Sequence, residues 1–328
     1  MLKDNFGRTI NYLRISVTDR CDFRCVYCMA ENMKFHPKQQ LLTLEEIAQI
    51  AEVFATLGVT KIRVTGGEPL VRRNVLQLFD YLSKLSGLEE LTLTTNGSRL
   101  ASCAATLAEC GVKRVNVSLD SLKSQRFKAL TRTGDLDRVL EGIYAAISAG
   151  LRVKLNSIIL KNRNIDEVLD LVDFALAKQL DICFIEEMPL GNIEEHRRAE
   201  EFVSSQGLRD IIKSKYTLLP DGAPRADAGP SRYWQVAGFD NRVGFISPHS
   251  DNFCASCNRV RLTATGNLLL CLGNEHSVNL KNIVREYPND KERLQKAIVD
   301  SLGLKPEKHH FQLDGSVEIL RFMNATGG

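Results

Sequence analysis

Short apolar runs and amphipathic segments alternate along the first 190 residues of the chain. The β-branched runs predict six strands, YLRISVT, KIRVTGG, EELTLTTNG, RVNVSLD, RVKLNSIIL and ICFIEEM. Segments of helical period separate them, and the clearest is TLEEIAQIAEVFATLG. It opens with Thr43 as N-cap and Glu46 as capping-box partner, and it closes at Gly58. The pattern predicts a series of βα units.

Strands that alternate with helices predict a parallel sheet with right-handed crossovers. Six units are fewer than the eight of a closed barrel, so a partial barrel and an open doubly wound sheet both agree with the pattern. In either fold the chemistry belongs at the carboxyl ends of the strands. Distinctive residues follow the first four strands there: three cysteines, GGEP, TTNG and SLD.

The alternation is lost after residue 190. HRRAEEFVSSQGLRDIIKS predicts a helix and PDGAPRADAGPSRYW a loop rich in proline and glycine. Short strands are predicted at RVGFIS, RVRLTA and NLLLC, then helices around 280–302 and a polar tail that ends in ATGG. We therefore expect two domains, a βα domain over 1–190 and a smaller annex over 191–328 packed on it.

Composition narrows the function classes. The 328 residues are 44% hydrophobic and 25% charged, which is ordinary for a globular protein. A net charge of only +3 argues against binding to nucleic acid mainly through bulk charge. The segment MLKDNFGRTINYLRI lacks the apolar run of a signal peptide, and runs such as NLLLCL are too short to cross a bilayer. We expect a cytoplasmic protein without a membrane or nucleic-acid partner, with reduced thiols.

Three thiols follow the first predicted strand with the spacing C-x3-C-x2-C, at Cys21, Cys25 and Cys28. Disulfides are disfavoured in the cytosol, and three is an odd number. Structural zinc usually takes four protein ligands. An iron–sulfur cubane normally takes four cysteines as well, so three would leave one iron open to another molecule. The missing fourth thiol is therefore the informative feature of this triplet, and a cluster with one open iron stands as a third interpretation beside a disulfide and structural zinc.

A second group, Cys254, Cys257 and Cys271, has the spacing C-x2-C-x13-C. One zinc shared between both triplets would have six thiolates, more than zinc takes, so a second cluster with an open iron fits better. Several other residues have plain interpretations. We expect Cys103, Cys110 and Cys183 to be small buried hydrophobes, Glu186–Glu187 and the charge run 194–201 to be solvated, and His309–His310 to lie at the surface.

The first triplet, with Tyr27 just before its last cysteine, and the turn Gly66 to Pro69 resemble the motifs of the radical S-adenosylmethionine (SAM) superfamily. The resemblance implies a partial (β/α)6 TIM-like barrel and a [4Fe-4S] cluster on the three cysteines. It implies that the open iron is chelated by the amino and carboxylate groups of SAM. The positions that match the family's SAM contacts are Tyr27, Gly67, Ser118 and Met188.

LRISVTDRC, RVTGGEPL, CNRVRLTATG and the terminal Gly327–Gly328 resemble, more narrowly, the GTP 3′,8-cyclases, the molybdenum cofactor biosynthesis protein A family. This resemblance implies a second [4Fe-4S] cluster on Cys254, Cys257 and Cys271, with an open iron that holds guanine. It implies a tail that enters the active site and is needed for turnover. The positions that match the family's GTP contacts are Arg14, Arg63, Thr94, Lys154, Arg259, Val260 and Arg261.

The implied reaction is radical cyclisation of GTP. A 5′-deoxyadenosyl radical would take the 3′ hydrogen of GTP, and the ribose carbon would then attack guanine C8. A pterin-forming partner enzyme would consume the product, a flavodoxin or ferredoxin would supply electrons, and the protein would be a monomer or homodimer. Two alternatives are a radical SAM peptide-modifying maturase with an auxiliary cluster and a non-catalytic iron–sulfur electron carrier.

Overall fold

The computed structural model describes residues 1–193, 195–222, 229–309, 311 and 319–327. Their strands form one twelve-stranded sheet. The strands are β1 (Tyr12–Ser16), β2 (Lys61–Thr65), β3 (Glu90–Thr95), β4 (Arg114–Ser118), β5 (Arg152–Ile158), β6 (Asp181–Ile185), β7 (Leu218–Pro220), β8 (Arg232–Val236), β9 (Arg242–Ile246), β10 (Arg259–Leu262), β11 (Asn267–Leu269) and β12 (Ser277–Asn279).

Helices follow most of the barrel strands and cover the outer face of the sheet. The helices are α1 (Leu44–Thr56), α2 (Val75–Ser83), α3 (Ala104–Glu109), α4 (Ser124–Thr131), α5 (Leu136–Ser148), α6 (Val168–Ala177), α7 (Arg198–Glu201), α8 (Ser205–Lys213), α9 (Leu280–Glu286), α10 (Lys291–Ser301) and α11 (Met323–Thr326). The capping box of α1 is confirmed, because Thr43 and Glu46 each accept the other's backbone N–H.

The strand order decides between the two folds left open by the pattern. β1 to β6 are parallel and lie side by side in sequence order. In a doubly wound sheet the order of the strands reverses at a switch point. Strands that follow one another in unbroken sequence order are typical of a barrel. β10 adds beside β1 and β9 adds beside β6, both parallel, and the remaining strands are antiparallel edges. The fold is a partial TIM-like barrel, as expected.

Side chains alternate across each barrel strand. Leu13 and Ile15 of β1 are fully buried in the hydrophobic core between sheet and helices. Arg14 between them faces the barrel interior, and the register places it beside Arg63 of β2. The interior is therefore polar and basic, which leaves it suited to a ligand rather than to a packed core.

Three expectations, two of them about residues after 180, need correction here. Glu186 and Glu187 are buried, because Glu186 accepts the backbone N–H groups of Ser205 and Ser250 and Glu187 binds His196. The predicted loop over 220–234 contains the end of β7 and the start of β8, while 223–228 lie outside the described residues. The third correction concerns the predicted small buried hydrophobes, of which Cys183 is buried but Cys103 and Cys110, at the ends of α3, are only half-buried.

The division at residues 190 and 191 stays a prediction, because strands from both sides of it share one sheet. In the described part of the chain, no helix is both long enough and apolar enough to cross a membrane.

Candidate active site

One cavity of about 1000 Å³ opens inside the barrel. The expected site residues that line it are Arg14, Cys21, Cys25, Tyr27, Cys28, Arg63, Gly67, Thr94, Ser118, Lys154, Met188, Cys254, Cys257, Arg259, Val260, Arg261 and Cys271. Val260 borders the cavity but belongs to the hydrophobic core, since it alternates with the two arginines. Gly327 lies against Arg261, and Gly328 lies outside the described residues. The structure thus brings both cysteine triplets and the basic residues to one space.

The first triplet lies in the loop after β1, where N–H groups point at its sulfurs. Cys21 Sγ accepts from the backbone N–H of Phe23 (3.4 Å) and from Asn96 Nδ2 (3.7 Å). Burial raises the pKa of the Cys28 thiol to about 12, although the backbone N–H of Asn324 opposes the shift. Burial also raises the pKa of Cys25. Hydrogen bonds from N–H to sulfur are a feature of cluster-binding thiolates.

The GGEP turn fits closely under the cysteine loop. A Cβ at Gly67 would lie 2.4 Å from the carbonyl oxygen of Arg20, so only glycine allows this approach. The buried carboxyl of Glu68 accepts from the Thr95 hydroxyl (2.8 Å) and the backbone N–H of Asn96 (2.6 Å). The turn therefore joins the carboxyl ends of β2 and β3 to the loop that carries Cys21.

Tyr27 is anchored across the barrel. Its hydroxyl donates to Asp120 Oδ2 (2.6 Å), and Asp120 Oδ1 accepts the backbone N–H of Ile158 (2.8 Å). Burial raises the pKa of Asp120 to about 6. This chain of contacts links the cysteine loop to the carboxyl ends of β4 and β5, where Ser118 also lines the cavity.

The second triplet lies at the opposite side, around β10 and β11. Burial opposes ionisation of Cys257, but the charges of Arg259 and Lys305 lower its pKa to about 6. Lys305 Nζ lies 3.5 Å from Cys257 Sγ. His309 contradicts its expected surface position: it is buried, with Nδ1 3.0 Å from Cys254 Sγ. Its ring packs on Phe311 (4.4 Å between centroids), and His310 lies outside the described residues.

Both thiol sets suit iron–sulfur clusters. All six cysteines are free, and each triplet has N–H donors close to its sulfurs. The cysteines of a four-iron cluster bind different irons, so they need not converge as the ligands of one ion do. The described residues include no group of three His, Cys, Asp or Glu that could hold a single metal ion.

The wall between the two triplets is basic. Arg14, Arg63 and Arg261 are buried, and burial lowers the pKa of each, that of Arg261 to about 10. Burial of Tyr12 would raise its pKa, yet the charges of Arg63 and Arg14 bring it down to about 8. These guanidinium groups are buried and repel one another, so this wall is suited to an anionic ligand such as a polyphosphate.

The tail approaches this wall. Arg261 Nη1 donates to the carbonyl oxygen of Gly327 (2.5 Å), and Asn324 Nδ2 donates to the carbonyl oxygen of Asp19 (2.8 Å). Gly327 has a φ of +77°, and a Cβ there would lie 2.3 Å from Cγ2 of Thr65. The tail therefore contacts both the basic wall and the loop that leads to the first cysteines.

Sequence reasoning missed several polar residues of the cavity. The side-chain oxygens of Asn116 and Asn156 are buried without a hydrogen-bond partner in the described structure, as is the hydroxyl of Thr94. The alternation of side chains along β4 and β5 could have indicated the two asparagines, since each lies two residues from a predicted contact and so shares its face of the strand. Ser231 and Tyr233 gave no signal, because they lie in a segment predicted as loop.

Family models match most of the chain. The model of the radical SAM superfamily matches residues 15–175, and that described as Molybdenum Cofactor Synthesis C matches residues 180–311. Curated relatives named GTP 3′,8-cyclase include one from Pseudomonas entomophila (strain L48), 58% identical over 100% of this chain and 98% of its own. Another, from Marinobacter nauticus, is 56% identical over 100% of this chain and 98% of its own.

Solved structures share the fold. Streptococcus suis SuiB bound to S-adenosylmethionine has a TM-score of 0.64 at 15% identity, covering 97% of this chain and 77% of that one. SuiB bound to the precursor peptide SuiA has a TM-score of 0.65 at 15% identity, covering 98% and 77%. Likeness at this identity shows the fold alone and gives the peptide-maturase alternative no further support. The full-length sequence relatives place the chain in the radical SAM superfamily and, within it, in the family of GTP 3′,8-cyclases.

Proposed function

We propose that the protein converts GTP to (8S)-3′,8-cyclo-7,8-dihydroguanosine 5′-triphosphate, the first step of molybdenum cofactor biosynthesis. The observation that carries the proposal is the single cavity in which a radical SAM cysteine loop faces a basic wall and a second cysteine triplet. A radical generated at one side can therefore meet a nucleotide held from the other without leaving the protein.

Membership of the radical SAM superfamily implies a [4Fe-4S] cluster and SAM. We assign the cluster to Cys21, Cys25 and Cys28, and SAM to Tyr27, Gly67, Ser118 and Met188. When bound, the cluster, once reduced by an external donor, would supply the single electron needed for reductive cleavage of SAM. The chain's own part is to orient: the contact of Tyr27 with Asp120 and the close approach of Gly67 to Arg20 fix the loop around that site.

GTP is assigned to the basic wall, with its triphosphate on Arg14, Arg63, Lys154, Arg259 and Arg261, beside Thr94 and Val260. Guanidinium groups bind phosphate oxygens in pairs, and Arg14, Arg63 and Arg261 are already buried, so an anionic ligand would relieve the repulsion among them. The guanine would then face Cys254, Cys257 and Cys271.

A second [4Fe-4S] cluster on those three cysteines is part of the proposal. It is supported by the lowered pKa of Cys257, since a thiolate is the form that binds iron. It is also supported by Lys305, whose ammonium balances negative charge at this site. Holding the base there would leave the ribose facing the first triplet.

The remaining parts of the proposal follow from the chemistry of the product and of SAM cleavage. A pterin-forming enzyme consumes the product, and a small electron carrier of the flavodoxin or ferredoxin type supplies the electron. The reaction would take place in the cytoplasm, with the protein as a monomer or homodimer.

The test is anaerobic incubation of the reconstituted protein with SAM, GTP and a reductant, followed by chromatographic separation and mass spectrometry of the nucleotides. We expect methionine, 5′-deoxyadenosine and a cyclised GTP isomer. SAM cleavage without any change in GTP would contradict the proposed substrate. A variant with Cys21, Cys25 and Cys28 all replaced by alanine is the control and should form none of the three products.

Iron analysis tests the second cluster separately. Two cubanes predict about eight irons per chain. The variant lacking Cys21, Cys25 and Cys28 should keep about half of them, and so should a variant lacking Cys254, Cys257 and Cys271. If either variant lost all of its iron, or if the second variant kept all of it, two independent clusters would be wrong.

A further inference from the structure

The β7–β8 hairpin borders the cavity near the amino ends of the barrel strands. Its Ser231 and Tyr233 line the cavity together with Arg114 and Arg152, which begin β4 and β5. No site residue was expected in this hairpin. The question is what these two hydroxyl side chains do in a basic cavity.

Packing fixes the ring of Tyr233. The residue pairs with Gly244 across β8 and β9, and a Cβ at Gly244 would lie 2.8 Å from the ring's Cε1. Cζ of Arg242 lies 4.5 Å from the ring centroid. A side chain at position 244 would push the ring away, so this glycine lets Tyr233 lie flat on the strand and aim its hydroxyl into the barrel.

The hydroxyl reaches the ammonium of Lys154. Lys154 Nζ donates to the Tyr233 hydroxyl at 2.7 Å and to Ser231 Oγ at 3.1 Å. The Ser231 hydroxyl also contacts Cys183 Sγ at 3.1 Å, so it is held from a second side. Lys154 is thus oriented by two side chains of the hairpin.

Lys154 forms no ion pair in the described structure, although Asp181 lies opposite it in the β5–β6 register. Other basic residues that line the cavity do have carboxylate partners: Lys61 and Arg114 share Glu90, and Arg242 pairs with Asp181. Lys154 is only 6% exposed. A buried cation that meets only neutral hydroxyls is costly, and an anionic ligand would remove that cost.

The hydrogen-bond inventory leaves donors for such a ligand. An ammonium has three N–H bonds, and two of those on Lys154 are used by Ser231 and Tyr233. The Tyr233 hydroxyl accepts from Lys154, so its own proton is free to be donated. One N–H and one O–H therefore lie side by side, an arrangement that suits two oxygens of one phosphate.

The position along β5 indicates which phosphate. Ile158, at the carboxyl end, contacts the Asp120 that holds Tyr27. Lys154 is four residues earlier, which is about 13 Å along a strand. The ribose must lie near the SAM side for its hydrogen to be removed, so the far end of the triphosphate is the part that can reach Lys154.

We propose that Tyr233 and Ser231 are positioning residues that hold Lys154 for the terminal phosphate of the nucleotide, so that the hairpin favours a triphosphate over a diphosphate. The inference rests on the proposed use of GTP. It concerns how the site distinguishes the length of the phosphate chain, which the fold family and the sequence relatives leave open.

The experiment measures binding of GTP and GDP to the anaerobically reconstituted holoenzyme by isothermal titration calorimetry. Tyr233→Phe removes one hydroxyl and keeps the ring. We expect its affinity for GTP to fall about tenfold and its affinity for GDP by less than about twofold, which is the scale of one hydrogen bond to a charged group. Ser231→Ala should shift the same ratio in the same direction.

Tyr216→Phe is the matched control, because Tyr216 precedes β7 and its hydroxyl binds Asp173 outside the cavity. It should leave both affinities unchanged. The inference is overturned if Tyr233→Phe and Ser231→Ala keep the wild-type preference for GTP over GDP. It is also overturned if both nucleotides weaken equally, since that would indicate a general brace. Failure of the wild-type protein to bind GTP would instead contradict the proposed function.

Discussion

Replacing Gly327 by alanine is expected to displace the tail from the active site. Gly327 has a φ of +77°, a conformation that costs an alanine about 1–3 kcal/mol. The new Cβ would also lie 2.3 Å from Cγ2 of Thr65, which is buried at the end of β2. Overpacking of this kind adds about 1–3 kcal/mol.

The contacts that hold the tail are of similar size. The bond from Arg261 to the Gly327 carbonyl involves a charged donor and is worth about 1.5–3 kcal/mol, and the bond from Asn324 to Asp19 adds about 1 kcal/mol. A penalty of about 2–6 kcal/mol is therefore of the same size as the roughly 2.5–4 kcal/mol that these two bonds contribute. At the middle of each range the docked tail becomes the less stable state by about 1 kcal/mol, so product formation should fall about fivefold.

The assay is the rate of cyclised product at saturating GTP and SAM, with iron content and SAM binding as controls that should not change. Thr65→Ser removes Cγ2 and keeps the hydroxyl, so it tests the contact directly. The double variant with Gly327→Ala should recover the part of the rate that is lost to the clash between the new Cβ and Thr65. The part lost to the unfavourable φ of residue 327 should remain lost. A fully active Gly327→Ala protein would refute the docked tail, and no recovery in the double variant would refute this contact as its cause.

Three further predictions address the same cavity. Arg259→Ala and Arg261→Ala should each weaken GTP binding by about 1.5–3 kcal/mol and leave iron content intact; only Arg261→Ala should stay impaired at saturating GTP, because Arg261 also holds Gly327. Deleting Gly327 and Gly328 should leave SAM binding unchanged and strongly lower product, and a peptide ending in Gly-Gly should restore part of it; full activity after deletion would contradict this. Burial raises the pKa of Asp120 to about 6, above its unfolded value near 3.9, so ionisation costs the folded state up to roughly 3 kcal/mol as pH rises from about 4 to 6. The free energy of unfolding of the metal-free chain, measured in urea, should therefore fall less between about pH 4 and 6 in Asp120→Asn than in the wild type. An unchanged dependence of that free energy on pH would contradict the raised pKa of Asp120.

The first six strands were predictable because their cause is local. β-branched residues, the capping box of Thr43 and Glu46 and glycines after helices act within a few residues, and the structure has each barrel strand where the pattern placed it. β8 was missed for the opposite reason. Its hydrogen bonds go to β9, and its segment is rich in the residues that favour turns, so only the tertiary partner made it a strand.

Burial of charge was also beyond local reasoning. Glu186 and Glu187 follow a strand as two acidic residues and were expected in solvent, yet backbone N–H groups and basic side chains from distant segments surround them. His309 was expected at the surface for the same reason, since nothing near it in sequence indicates that Cys254 lies beside it.

The sequence by itself determined the class of chemistry. Spacing alone specifies which side chains can bind a ligand and which face of a strand they share, because a strand or turn fixes these relations over short distances. The features concerned are the three thiols without a fourth, the GGEP turn at the next strand end and the alternating arginines. Only the tertiary structure decided how these parts meet. Pairing of β10 with β1 places Arg261 beside Arg14, and pairing of β8 with β9 brings Tyr233 to Lys154. Arg14 and Arg261 are 247 positions apart, and contacts of this kind depend on sheet order and packing, which no local pattern encodes.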